Sequence, residues 1–418
     1  MSKAVPGAPY VIMKGDTLWG IAGQAYGNVQ RWPEIYDANK AVIGPDPDLI
    51  FPGVTLLIPG ELPLVIDVED DSELLPNADP DGFQLVIKGK EVNVESARVL
   101  RTMDTGSDMW SAQVYWDPED KDLSDLFKPF SFYESKAYVG GQLLVTGPVM
   151  VQEPAVNNDK VSMTLQGFSK TIHMVDSHVK PPYQRREITL VELAKELIKG
   201  QNLSLIDNTN GVADGKFKRI TAEATDKIFD FLIKMAKQKS VLVTSTPRGD
   251  LLLTQTAAKT ENFGSIGDDQ SRGHDWRASF NGRERFREYR MLGKRRGRKV
   301  ATKTVLDENI TAPRHIAIQS SDLAPAELEK AANWERSKKV STALKIPFPV
   351  SGWYAPNGDL WRENKYVTVI SKRIFVPDGF DFLIRSLEYI YEPSGRKTIL
   401  NLVPPGVFTG EPVEEPWF

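Results

Sequence analysis

The densest chemistry in this sequence lies between residues 283 and 299. There Arg283, Arg285, Arg287, Arg290, Lys294, Arg295, Arg296, Arg298 and Lys299 face only Glu284 and Glu288. Nine positive charges minus two negative ones leave +7 locally, a density that can neutralise phosphates or an acidic protein surface. Phe286, Tyr289 and Met291 are threaded among the charges, as in an exposed strand that runs into a loop at Gly293 to Gly297. Arginine is also favoured where subunits meet. The run is therefore read first as a contact with another subunit or partner, second as a solvated loop, and last as a DNA contact.

Chemistry of the catalytic kind is sparse. The chain has four histidines and no cysteine, which excludes disulfides, thiolate metal sites and cysteine nucleophiles together. His173 and His178 stand five apart without a third ligand at suitable spacing, so they are read as surface or interface histidines. No Gly-x-Ser-x-Gly elbow, His-Glu-x-x-His helix or phosphate-binding Walker loop is present. Neither an enzyme nor a resident cofactor is expected. Acidic side chains gather at Asp67, Glu69, Asp70, Asp71, Glu73, Asp79 and Asp81 among Pro63, Pro76 and Pro80. They lack the Asx/Gly spacing of calcium loops and read as a semi-extended linker.

A chain of 418 residues implies two to four domains. It is 41% hydrophobic and 26% charged with net charge −4, a globular composition without bulk attraction to nucleic acid or anionic lipid. No apolar run is long enough to span a bilayer. The first residues carry no apolar segment of the secretory kind, so export by that route is not expected. The absence of cysteine fits folding in a reducing cytoplasm.

The elements fall into three stretches. Residues 10–59 read strand, helix, helix, strand. Tyr10 to Met13 lead into the turn Lys14-Gly15-Asp16, Asp16 or Thr17 caps a helix carrying Leu18, Ile21, Ala22 and Ala25, and Gly27 stops it. A helix around Pro33–Asn39 and a strand from Val54 to Pro59 complete this unit. From residue 82 the sequence alternates as strands do, with a hairpin turn at Gly140-Gly141. Thr189-Leu190-Val191-Glu192 forms a capping box ahead of the stripe Leu190, Leu193 and Leu197, and Ile228, Leu232 and Met235 form a second stripe. A further helix starts at Pro325 and runs to about Lys338. Strands follow through Thr398 to Val403, and the Pro-rich tail from Val407 is expected to be mobile or docked on a partner.

The segment Tyr-Val-Ile-x-Lys-Gly-Asp-Thr-Leu-Trp-x-Ile-Ala at 10–22, with Asn39 and Leu49-Ile50-Phe51-Pro52-Gly53, resembles a LysM domain. That resemblance implies a glycan groove, or a surface for a protein partner, built from Gly15, Asp16, Thr17, Leu18, Asn39, Ile50, Phe51 and Pro52. The region 82–408 resembles the tail-hub proteins of Mu-type contractile phages, relatives of the T4 baseplate hub and of the N-terminal part of type VI secretion spikes. Ala332-Asn333-Trp334-Glu335-Arg336, Val350-Ser351-Gly352-Trp353, Gly358 to Asn364, and Phe382-Leu383-Ile384 leading to Leu400 to Pro404 carry it.

The two resemblances together imply an α+β, mainly β protein. Its parts would be a loose N-terminus (1–9), a βααβ LysM domain (10–60), an acidic linker (61–81), a first tube-like β-barrel (82–180), a helix-containing middle domain (181–284), a second barrel (285–408) and a tail (409–418). They imply a homotrimer that fits a sixfold tail tube to a threefold spike or tip, because three subunits with two similar barrels each present six units. The implied partners are the tail tube, spike, inner wedge or sheath-initiator and tape measure proteins, with peptidoglycan as a further ligand. The place is the virion baseplate, assembled in the host cytoplasm. The competing readings are a wall-binding or wall-degrading protein targeted by LysM, and the hub of another injection particle.

Overall fold

The computed structural model describes residues 4, 9–26, 29, 32–58, 73–75, 79–157, 160–296, 299–319, 325–409 and 413–418. The expected helix stop at Gly27 and most of the acidic linker lie outside them. The chain divides into two units, residues 1–66 and 67–418.

In the first unit, strand Pro9–Val11 pairs antiparallel with Thr55–Leu57, and helices Leu18–Tyr26, Trp32–Ala38 and Lys40–Ile43 lie between them in sequence. The short third helix is additional to the strand-helix-helix-strand reading. Alternation along the first strand sends Tyr10 and Ile12 inward, where Leu18, Ile21, Ala22, Ile35, Leu56 and Ile58 close a small core.

The second unit is organised by one sheet of thirteen strands. Seven come from residues 83–168 and six from 262–403. The two halves join where Ala97–Thr102 pairs antiparallel with Ser386–Tyr391. The strand Val376–Glu392 makes this possible by its length. Its first part pairs with Tyr366–Ser371, and its second part lies between Gly395–Val403 and Val94–Thr102. The path of paired strands runs from Ser279–Phe280 at one end to Lys90–Val92 at the other. A single hydrophobic core runs through both halves, with Val99, Trp110, Leu165, Phe348, Trp353, Trp361 and Phe382 fully enclosed.

Local sequence explains the turns. Gly140 and Gly141 both take positive φ, +56° and +77°, in the two-residue hairpin that joins Val139 to Gln142, the geometry that suits the twist of paired strands. Gly352 and Gly358 also sit at positive φ, and between them the chain turns Trp353 inward, with the Trp361 N–H donating to the Trp353 carbonyl at 3.1 Å. Glu73 to Leu75, inside the segment expected to be a linker, instead bind the sheet. Leu74 bridges Gln142, and Glu73 accepts from Lys136 Nζ and the Tyr138 hydroxyl.

Between the halves, residues 172–254 form a lobe with its own core, in which helices Leu190–Leu197 and Ile228–Gln238 bury the two stripes read from the sequence. The capping box closes at both bonds. Thr189 Oγ1 accepts from the Glu192 N–H at 3.1 Å, and Glu192 Oε2 accepts from the Thr189 N–H at 2.8 Å. Strands Glu288–Arg296, Lys299–Leu306 and His315–Gln319 make a separate three-stranded sheet and do not join the thirteen-stranded one. Helix Leu328–Ala343 packs on it through Leu328 and Ala332 against Met291.

Candidate assembly interface

In the first unit the antiparallel register brings the Gly15–Leu18 turn and the Ile50–Gly53 turn to the same end of the two-stranded ladder. The Gly53 N–H donates to the Ile12 carbonyl at 2.8 Å and the Ile12 N–H to the Val54 carbonyl at 2.9 Å, which fastens the two turns together. Asp16 Oδ2 accepts from the Tyr10 hydroxyl and from the Met13 N–H, both at 2.8 Å, and Gly15 takes φ +94° in that turn. Thr17 Oγ1 accepts from the Gly20 N–H at 3.0 Å, capping the helix. Leu18 is buried. Asn39 is buried as well, and links helix to strand by donating to the Ile35 and Leu57 carbonyls and accepting from the Leu57 N–H. Ile50 packs on the core, while Phe51 and Pro52 are exposed. Of the eight residues singled out here, Asp16, Thr17, Leu18 and Asn39 hold the unit together, while Gly15, Thr17, Phe51 and Pro52 are exposed. Trp19, Met13 and Leu49 are exposed apolar neighbours in sequence.

The basic run is not uniformly exposed. Arg283, Arg287 and Arg290 are exposed. Lys294, Arg295, Arg296 and Lys299 lie at the closed end of the hairpin, with Arg296 opposite Lys299, and Arg298 falls outside the described residues. Arg285 departs from the interface reading. It is 7% exposed and bound within its own chain, to Asp307 at 2.8 Å and to Glu415 at 2.6 and 2.8 Å. Burial alone would lower its pKa, but the two carboxylates raise it well above the usual guanidinium value, so this cation stays charged. Glu415 belongs to the tail that was expected to be mobile or on a partner. The tail docks on its own chain, where Trp417 Nε1 donates to the Ile374 carbonyl at 2.9 Å and its ring packs on Phe280 and Phe382. A cavity of about 790 Å³ opens beside it, lined among others by Phe280, Ile310, Arg314, Leu344, Phe375 and Trp417.

Sequence spacing gave no signal for a second buried charge cluster. Arg101 donates from Nε and Nη2 to Glu363, the shortest contact being 2.6 Å, and from Nη1 to the Leu144 carbonyl. Asp108 lies 3.6 Å from Arg101 Nη2 and accepts from the Thr102 N–H at 2.9 Å and the Ser245 hydroxyl at 2.8 Å. The cluster thus ties both halves of the sheet to the middle lobe. Burial pushes Asp108 up to about 6, with Arg101 pulling against it and Glu363 adding to it. Burial also works to raise Glu363, but its bonds to Arg101 outweigh that and hold it below the usual carboxylate range. The closer partner takes more of the cation's field. Among the described residues no three His, Asp or Glu side chains converge as metal ligands, and no helix is long and apolar enough to cross a membrane.

Two family models match segments of the chain. Residues 324–411 match the fourth domain of the Mu phage baseplate assembly protein GpP, and residues 171–255 match the second domain of the baseplate hub protein gp44-like family. The baseplate hub protein gp44 of Escherichia phage Mu is 23% identical over 284 residues, 64% of this chain and 73% of that protein. The 43 kDa tail protein of prophage MuSo2 from Shewanella oneidensis shares the fold with a TM-score of 0.68 at 24% identity, covering 79% of this chain and 99% of that one. The tail protein from Neisseria meningitidis MC58 does so with a TM-score of 0.65 at 16% identity, covering 79% and 98%. In two matched segments, in a curated relative and in fold, the chain is similar to the Mu-type baseplate hub proteins of phages.

Proposed function

We propose that this protein is a structural hub of a contractile-tail baseplate, assembled as a homotrimer between a sixfold tail tube and a threefold spike. The observation that carries this reading is the join at Ala97–Thr102 and Ser386–Tyr391, which makes two β halves of one chain into a single continuous sheet. Three copies then offer six β units around one axis, each serving as a tube-like barrel. Tail tube, spike, inner wedge or sheath-initiator and tape measure proteins are the partners of such a ring, and the virion baseplate is its place. Its role is assembly and not catalysis. The first unit, a LysM module in this reading, braces the particle.

Mass measurement in solution, alone and with the spike protein, tests the proposal. A species of three times 46.8 kDa is expected, and a chain that stays monomeric even with the spike present would sink it. A second role for the first unit, binding peptidoglycan-type glycans, is favoured by the exposed Trp19, Leu49 and Phe51, which offer apolar contact to sugar rings. Titration with chitin oligomers should then perturb Trp19, and an unchanged spectrum would leave bracing as the sole role. Wall lysis in a zymogram would instead favour the wall-degrading reading.

A further inference from the structure

The sheet of the second unit has two unlike ends. At one lies strand Lys90–Val92, and beside it helix Lys121–Leu126, held by Lys90 Nζ to Asp122 at 3.1 Å and Lys88 Nζ to Asp125 at 3.9 Å. The loop that leaves this helix displays Phe130, 83% exposed, and Phe132, 51% exposed. Both have positive φ, +61° and +51°, a conformation that bulky side chains rarely adopt and that persists only when something offsets its strain. Phe130 stands out into solvent and is not part of any apolar core among the described residues. The segment leading to it is acidic, Asp117, Glu119, Asp120, Asp122 and Asp125 against Lys121 and Lys128, five minus two, or −3.

At the other end lies strand Ser279–Phe280. Here the cavity opens, with Phe280 40% and Phe375 68% exposed at its mouth and ring centroids 6.1 Å apart. Its flank is basic. Arg314 lines it, Arg283 follows the lining residue Gly282, and exposed Arg287 donates to the carbonyl of the lining residue Ile310.

We propose that the Phe130 loop of one copy seats in the Phe280–Phe375 cavity of the next. The occupant is a second copy of this chain. Aromatic knob meets aromatic cavity, the acidic segment meets the basic flank, and the two faces stand at opposite ends of one strand order. That arrangement is the heterologous, head-to-tail contact from which closed rings are made, with an aromatic anchor at its centre and opposite charges at its rim. The inference rests on the ring reading above and assigns the face that the exposed arginines serve.

The absence of cysteine from the sequence gives a clean test. In the full-length chain, the pair Phe130→Cys and Phe375→Cys should form a covalent ladder on mild oxidation that ends at three chains, while either single variant, whose lone thiol faces a phenylalanine, should stay uncrosslinked. Both residues are exposed, so neither change threatens folding. Phe130→Asp should weaken self-association about tenfold or more, as loss of a buried aromatic anchor does. A ladder running past three chains would keep the contact and overturn the trimer. A trimeric mass with no ladder would keep the trimer and overturn the contact, and a monomeric mass with no ladder would overturn both.

Discussion

Arg101 and Glu363 stand 262 positions apart in sequence and 2.6 Å apart in space. The side chains are 7% and 11% exposed, so each charge has given up most of its water and depends on the other. Removing one partner of such a pair costs about 3–5 kcal/mol, because the remaining charge is left buried without compensation. Glu363→Gln keeps the shape and removes the charge. It should lower stability by about 3 kcal/mol, toward the bottom of that range, since Asp108 still lies 3.6 Å from the guanidinium. Urea unfolding followed by tryptophan fluorescence reads this directly. A loss under about 1 kcal/mol would mean that the join between the sheet halves does not depend on the pair.

Asp108 makes the same cluster sensitive to pH. An unfolded Asp titrates near 3.9, while burial, with Glu363 adding to it, lifts Asp108 in the folded chain to about 6. The folded state therefore holds the proton more tightly. The stability this group contributes is complete below about pH 3 and drains away as pH rises through about 6, a difference of about 3 kcal/mol by pH 7. Asn at this position cannot titrate, yet it can still accept from the Thr102 N–H and bond Ser245. The stability of Asp108→Asn relative to the parent should thus climb by about 2 kcal/mol between pH 4 and pH 7. A difference that stays flat across this window would show that Asp108 titrates like an exposed carboxylate.

What could be read from sequence was what a few neighbouring residues decide. Thr189 and Glu192 specify their capping box three residues apart, Gly140 and Gly141 specify a hairpin, and Leu190, Leu193 and Leu197 show their buried face by spacing alone. The charge run shows the limit of that approach. Arg285 looks like its neighbours in sequence, and only the partners Asp307, 22 positions on, and Glu415, 130 positions on, make it a buried anchor. The cluster of Arg101, Asp108 and Glu363 was illegible for the same reason, since its members meet only after the sheet has closed across the middle lobe. Strands 288–319 alternate as sheet strands do, but alternation does not say which sheet they join, and they form one of their own. The strain at Phe130 left no local signature at all, because nothing in Lys-Pro-Phe-Ser demands a positive φ.

In the first unit, Asn39 offers the sharpest separation of structural and binding roles. Its side chain replaces backbone pairing by donating to the Ile35 and Leu57 carbonyls at 2.7 Å each and accepting from the Leu57 N–H at 2.8 Å. Net worth per bond is about 1 kcal/mol, and Leu57 is exposed enough for water to recover part of the loss, so Asn39→Ala should destabilise this unit by about 2 kcal/mol. Asn39→Asp keeps the bond from the Leu57 N–H but cannot donate, and should leave that amide protected while the unit weakens. Hydrogen exchange on the full chain distinguishes the two. The Leu57 amide should exchange faster in the Ala variant than in the Asp variant, with the second unit unchanged in both. Equal protection in parent and Ala variant would mean that Asn39 is not the fastener between helix and closing strand, and would return it to the residues available for a ligand.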